Sequence, residues 1–235
     1  MRSRPWAVPL LALALAGCGD EAAPARLAPS PDLALLTSLP LALGEGFTLD
    51  APNHPLMDQL ERSYSVRLID GPEQLRAGGL MLAVQPQALT AERLVALDRW
   101  VRRGGRLLLL ADSRFVWESS RALGDKARPP FAYQDTGLLR HWGLTLAPGA
   151  DGPALRQLGG MEVVTGSPGT LEAAEGSGCK VESAGLVARC AIGRGTVVVV
   201  ADADLVQVGV PGGLDGPTEQ NHQAVAAELG QLAAR

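Results

Sequence analysis

Residues 105–116, GRLLLLADSRFV, and residues 195–206, GTVVVVADADLV, align without gaps at an offset of 90. Each is a glycine, an unbroken apolar run, then Ala-Asp and a turn. A short apolar run without polar alternation reads as a strand buried on both faces, inside a sheet covered by helices. Each run ends on an aspartate, Asp112 or Asp202, so each carboxylate belongs at the carboxyl end of a central strand. Upstream of the first run, Thr90 is a good N-cap, and Leu94, Leu97, Trp100 and Val101 form one apolar stripe. Gly104-Gly105 end that helix. Further strands are expected at 33–37, 66–69 and 80–84, and helices at 55–64, 114–125, 137–142 and 219–232. Residues 150–192 differ in character, with short β runs (MEVV, CKVES, LVARC) between Gly- and Pro-rich turns. The expected class is α/β: a mostly parallel sheet sandwiched by helices, with a small antiparallel β excursion at about 150–192. All of this belongs to one domain over 32–235.

The chain has 235 residues, 46% of them hydrophobic and only 4% aromatic, so the core is built from Leu, Val and Ala. Its first residues, MRSRPWAVPLLALALAGC, have the layout of a secretory signal: two arginines, a short apolar middle, small residues before a cut. The apolar run is shorter than the roughly 20 residues that span a bilayer. Leu15-Ala16-Gly17-Cys18 resembles the lipobox of bacterial lipoproteins, in which the cysteine is lipidated and the chain is cut before it. That resemblance implies a signal peptide over 1–17, a lipid on Cys18 and an Ala/Pro-rich tether over 18–31. It places the domain on the periplasmic face of a Gram-negative membrane, held there by its N-terminal lipid. Removal of 1–17 leaves 19 basic against 25 acidic residues, a charge of −6. That balance argues against nucleic acid and against electrostatic adhesion to anionic lipid.

Cys179 and Cys190 bracket a candidate hairpin. With a two-residue turn at Ala184-Gly185, residues whose numbers sum to 369 face each other, and the two cysteines are opposite. In an oxidising compartment this reads as a disulfide. The same register puts the pair at a hydrogen-bonded site of the ladder.

Ligands of open parallel sheets bind beyond the carboxyl ends of the strands. Thr37, Ser38, Glu45, Asp70, Gln85, Asp112, Ser113, Asp202 and Asp204 all belong there. If the sheet order joins the first, fourth and last strands, Glu45, Asp112, Asp202 and Asp204 line one crevice. Clustered carboxylates could hold a cation or a cationic ligand, or cap the turns that follow them. Ser113 sits in A-D-S-R-F, where bulky neighbours do not suit a nucleophile elbow. His54, His141 and His222 have no metal-ligand spacing, no phosphate loop is present, and no cofactor is implied.

The runs LLTSLPLALGEG (35–46), LDRWVRRGGRLLLLADSRF (97–115) and GRGTVVVVADADLV (193–206), with Asn221 on the last helix, resemble the soluble domain of auxiliary proteins of gliding-motility-type ABC transport systems. They also resemble related domains of unknown function. The resemblance implies a fold like that of class I glutamine amidotransferases, or flavodoxin-like, without the amidotransferase cysteine, whose place Asp112-Ser113-Arg114 takes. It implies a non-catalytic binding component with a crevice at Ser38, Glu45, Asp112, Ser113, Asp202, Asp204 and Asn221, and an ABC transporter or envelope protein as partner. A carboxylate-dependent hydrolase and a purely structural lipoprotein are the alternatives. On the binding reading, Asp112→Ala and Asp202→Ala should leave folding intact and weaken partner capture.

Overall fold

The structure is a computed structural model and describes residues 30–42, 44–45, 53–149, 151–209, 214–216 and 218–235. The leader over 1–17, Cys18 and the tether as far as residue 29 lie outside the described residues.

The chain runs β1 (Asp32–Thr37), α1 (Pro55–Glu61), β2 (Ser65–Leu68), β3 (Leu80–Val84), α2 (Ala91–Arg102), β4 (Arg106–Leu110), α3 (Leu138–His141) and β5 (Leu144–Ala147). It continues with β6 (Ala154–Leu158), β7 (Met161–Thr165), β8 (Thr170–Ala173), β9 (Cys179–Glu182), β10 (Val187–Ile192), β11 (Gly195–Val200) and α4 (Thr218–Ala233). Seven strands form one sheet in the order β2-β1-β3-β4-β11-β10-β9. The first five are parallel; β10 runs antiparallel to β11, and β9 antiparallel to β10. β5 pairs with β8 and β6 with β7 as separate antiparallel ribbons.

The unbroken apolar runs earn their place in the centre. Leu108, Leu110, Val198 and Val200 point into a core shared with Leu56, Leu60, Val225 and Leu229 of α1 and α4. Leu107, Leu109, Val197 and Val199 point the other way, to Leu97, Trp100, Leu139 and Trp142 on α2, α3 and the residue after α3. The glycines that open β4 and β11 are demanded by close approach. A Cβ on Gly105 would overlap the Trp100 ring, and one on Gly195 would overlap the carbonyl oxygens of Val101 and Gly105.

This arrangement overturns the class expected from the sequence. The sheet is mixed, with an antiparallel end formed by β10 and β9, and the amidotransferase-like or flavodoxin-like layout is not what is built. Among the described residues there are eleven strands and four α-helices, and the β2-to-β3 crossover holds only a 3-10 turn at Pro72–Gln74. The supposed excursion is divided: β6 and β7 stand apart, whereas the β9–β10 hairpin completes the main sheet. An apolar run reports burial on two faces but carries no sign of its neighbour's direction, so the antiparallel end of the sheet was not visible in it. The helix expected at 114–125 is also absent; these residues have irregular backbone.

A disulfide joins Cys179 to Cys190 across β9 and β10 at the 369 register. The pair does not occupy a hydrogen-bonded site. Its Cα atoms are 4.0 Å apart, the narrow spacing of a non-hydrogen-bonded pair, and the next pair carries the bond from Ala191 N–H to Gly178 O at 3.1 Å. The turn explains the change of parity. Ser183, Ala184 and Gly185 all have positive φ (54°, 52° and 90°), so it is not a two-residue turn.

Candidate functional site

Because β4 and β11 are neighbours, the turns after them bring Asp112, Asp202 and Asp204 together. All three are fully buried, and every one of their carboxylate oxygens is claimed from within. Asp112 accepts from the backbone N–H of Arg114 (2.7 Å) and of Ala203 (3.1 Å). Asp202 accepts from Gly166 N–H (2.9 Å) and Leu205 N–H (2.6 Å). Asp204 accepts from Val116 N–H (3.1 Å), the Gln207 amide (3.0 Å) and the Ser167 hydroxyl (2.9 Å). The charge of the Asp112 carboxyl acts on Asp204 as well. Among the described residues no arginine or lysine hydrogen-bonds any of the three; the Arg114 guanidinium pairs instead with Asp151 at 2.5 Å.

Burial therefore dominates their acidity. It raises Asp112. Burial, with the charges of Asp112 and Asp204 added, raises Asp202 well above the carboxylate range. Asp204 is pushed up to about 7 by burial and then by Asp112. The cluster ties three segments, 113–116, 166–167 and 203–207, to the ends of two strands. Among the described residues no group of three or more His, Cys, Asp or Glu is placed to hold a metal ion.

An open cleft lies elsewhere. Beyond the carboxyl ends of β1 and β2 a depression of about 420 Å³ is lined by Thr37, Ser38, Leu41, Glu45, Asp70, Gln87, Arg121 and Lys126, over an apolar floor that includes Leu35 and Leu68. It sits where the chain, having placed β2 on one side of β1, crosses to place β3 on the other, the position at which open sheets with parallel strands hold ligands. One wall comes from the loop between β4 and α3. Arg121 donates to the Glu45 carbonyl at 2.7 Å, and Ser120 N–H to the Glu45 carboxylate at 2.7 Å. Burial works against the Glu45 charge, but the hydroxyls of Ser119 and Ser120, with Arg121, hold its carboxyl below the usual range.

The set of residues expected to share one crevice is thus split. Ser38 and Glu45 line the cleft; Asp112, Asp202 and Asp204 form the buried cluster, because β3 separates β1 from β4. Ser38 Oγ donates to the carbonyl of Gln85 at 2.5 Å. Gln85 has φ 40°, and its amide spans to the Asp112 backbone, accepting from Asp112 N–H at 2.9 Å. The Ser113 hydroxyl is buried without a partner. Asn221 belongs to neither site: fully buried, it accepts from Val164 N–H (3.1 Å) and donates to the carbonyls of Val164 and Leu205 (both 2.8 Å). Arg121, Lys126 and Ser167 were not anticipated. Arg121 lies in the stretch read as a helix and Lys126 just beyond it, and Ser167 is an ordinary turn residue whose role depends on a fold-back of 37 residues to Asp204.

The fold and site define a domain built mainly of sheet, a seven-stranded mixed sheet with two small ribbons and, among the described residues, four α-helices, with a cleft at the carboxyl ends of its parallel strands and a buried carboxyl cluster beside it. A family model described as a domain of unknown function (DUF4350) matches residues 55–207, and the chain belongs to that family. No curated protein matches the sequence. Among solved structures, the mmIFT52 N-terminal domain is similar with a TM-score of 0.51 at 13% identity, over 87% of this chain and 97% of that one. Gan42B, a GH42 β-galactosidase from G. stearothermophilus, is similar with a TM-score of 0.50 at 13% identity, over 86% of this chain and 30% of that one. Exo-β-1,4-mannosidase Op5Man5 from Opitutaceae bacterium strain TAV5 gives 0.47 at 15% identity, over 87% and 34%. The chain spans about a third of the length of these two glycosidases. At such identities the likeness is one of fold alone.

Proposed function

We propose that this chain is a lipid-anchored protein of the periplasmic face of a Gram-negative membrane, whose domain binds a partner of an ABC-type transport or envelope system without catalysing a reaction. The observation that carries the binding reading is the division of the site. The cleft is open and lined by both signs of charge, Glu45 and Asp70 with Arg121 and Lys126, whereas the carboxylates suited to hydrolysis are buried and bonded to backbone N–H groups. The leader ending in Leu-Ala-Gly-Cys supports the anchor, and the disulfide suits an oxidising compartment. No helix among the described residues is long and apolar enough to cross a membrane; the lipid on Cys18 would be the attachment.

The test has two arms. Cys18→Ser should remove fatty-acid labelling and move the chain from the membrane pellet to the soluble fraction; retention in the pellet would refute the anchor. In crosslinked membranes, Asp70→Lys with Lys126→Glu should lower capture of the envelope partner by about tenfold, the scale set by two charged contacts, with no change in thermal midpoint. Undiminished capture removes the cleft from consideration. The aspartates are the wrong residues for this purpose: Asp112→Ala and Asp202→Ala each strip buried N–H groups of their acceptors, so the loss would fall on folding rather than on binding.

A further inference from the structure

Residues 113–117 run between two sets of buried titratable groups. On one side are the buried carboxyls of Asp112, Asp204 and Asp202. Through them the loop root is tied by Arg114 N–H and Val116 N–H. On the other side are His54 and His222, with ring centroids 5.5 Å apart, and the Trp117 ring lies 6.2 Å from that of His54. His54 is 8% exposed; its Nδ1 accepts from Leu56 N–H at 3.1 Å, and its Nε2 has no partner. His222 Nε2 lies 2.8 Å from the carbonyl of Val206, in the same segment that carries Asp204. The remaining groups that face the carboxyls are neutral: Ser167 and Gln207 at Asp204, and Asn221 of α4 on the Leu205 carbonyl. The neighbouring cation, Arg114, is drawn outward to Asp151. Tyr133 meets Asp112 through its backbone N–H.

We propose that the root of the loop over 113–135 is a pH-sensitive clasp, which holds the outer wall of the cleft in place in mildly acidic medium and releases it as the medium becomes alkaline. The inference rests on the reading of the cleft as the binding site. A proton that burial keeps on the cluster leaves to water as pH rises. Buried carboxylates of Asp112, Asp202 and Asp204 then share one site with only N–H and O–H dipoles to offset them. Like charges in a poorly solvated site repel strongly. The separation acts on the two oxygens that hold Arg114 and Val116, and the loop that follows supplies Arg121 and Lys126 to the cleft wall. The histidines set the acid limit of the same clasp, because both rings are buried and a proton on either is a charge drawn out of water, with Asp58 and Glu219 lining the depression on the outer side of His222. The raised acidity constant of Asp204 puts the alkaline release close to neutrality.

The test is amide hydrogen exchange on the full chain in detergent, from about pH 5.5 to about pH 8.5, corrected for the intrinsic pH dependence of exchange. Protection of residues 113–127 in the wild type should fall about tenfold or more across this range, while β3 and α2 keep theirs. Asp204→Asn retains an acceptor for Val116 and cannot ionise, so it should hold loop protection throughout. Constant protection in the wild type, or an equal fall in Asp204→Asn, overturns the clasp. Should the variant not fold, infrared spectroscopy of the wild type decides. A protonated-carboxyl band present at the acid end and lost in step with loop protection supports the clasp, and its absence at the acid end overturns it. No ligand enters these readouts, so failure of partner capture and failure of the clasp are separate results.

Discussion

Asn221 shows how a polar side chain inside a helix can be wholly structural. From α4 it completes the hydrogen bonding of Val164 as a strand neighbour would, and also holds the carbonyl of Leu205. Asn221→Ala leaves one buried N–H and two carbonyls without partners. We expect a loss of about 3 kcal/mol, from a cost of about 1–3 kcal/mol per orphaned group with part recovered by relaxation, read as a lower midpoint in urea. Asn221→Asp should be worse still, since both carbonyls then face an acceptor. In the sequence the residue stood out only through the family resemblance, and its purpose was not legible, because it sits in the polar run TEQNHQ and both of its partners lie on other elements. Ser38 is the reverse case: it follows the first strand and lines the cleft, yet its hydroxyl is spent on Gln85.

At the scale of elements, the β9–β10 hairpin is the clearest gain over what the sequence offered. Its register followed from the two cysteines and the intervening turn. Its attachment to β11 did not, since the outward residues of β9 alternate between partly buried and exposed, as those of any half-covered hairpin would. Replacing both cysteines by serine should cost about 2–3 kcal/mol, the scale of a short closed loop, and should raise amide exchange in β9 before β11. Uniform loosening of the sheet would show instead that the hairpin and the central strands unfold as one unit. The junctions at Gly105 and Gly195 were legible as a repeated glycine but not as a packing requirement. Gly195→Ala forces a methyl onto two backbone carbonyls, which cannot move aside, and should destabilise more than Gly105→Ala, which meets the ring of Trp100. Paired thermal melts would rank them. The stretch at 114–125 was read as a helix, although Phe115 and Trp117, two residues apart, do not share a helix face; in the fold their rings stack, 6.1 Å between centroids, and the N–H groups of Arg114 and Val116 go to the carboxyl cluster.

For the molecule as a whole, two buried groups give the stability profile opposite slopes. Burial, with His222 beside it, pushes His54 down from 6.5 to about 4. The folded chain then binds fewer protons than the unfolded one, and stability falls as pH drops through that interval. Asp204 is raised from 3.8 to about 7, so the folded chain keeps a proton that the unfolded one has lost, and stability falls as pH rises through that interval. Each slope reaches about a tenfold change in the folding constant per pH unit. Denaturant titrations at several pH values should therefore show Asp204→Asn gaining on the wild type as pH rises from 4 to 7, and His54→Gln gaining on it as pH falls from 6.5 to 4. Parallel curves would mean that neither group titrates across folding.

The sheet order has one more consequence, for the time course of folding. β4 lies between β3 and β11, and its partner on the second side begins about 90 residues later in the chain. While the chain is being made, β4 therefore has only one neighbour until residues near 200 have arrived, and α4, which seals one face, comes later still. Closing so long a loop is slow. The central ladder is thus completed only after β11 has emerged, and until then the open side of β4 has to be kept from other chains. A version cut short of β11 would leave a long apolar strand edge open and should be recovered as aggregate.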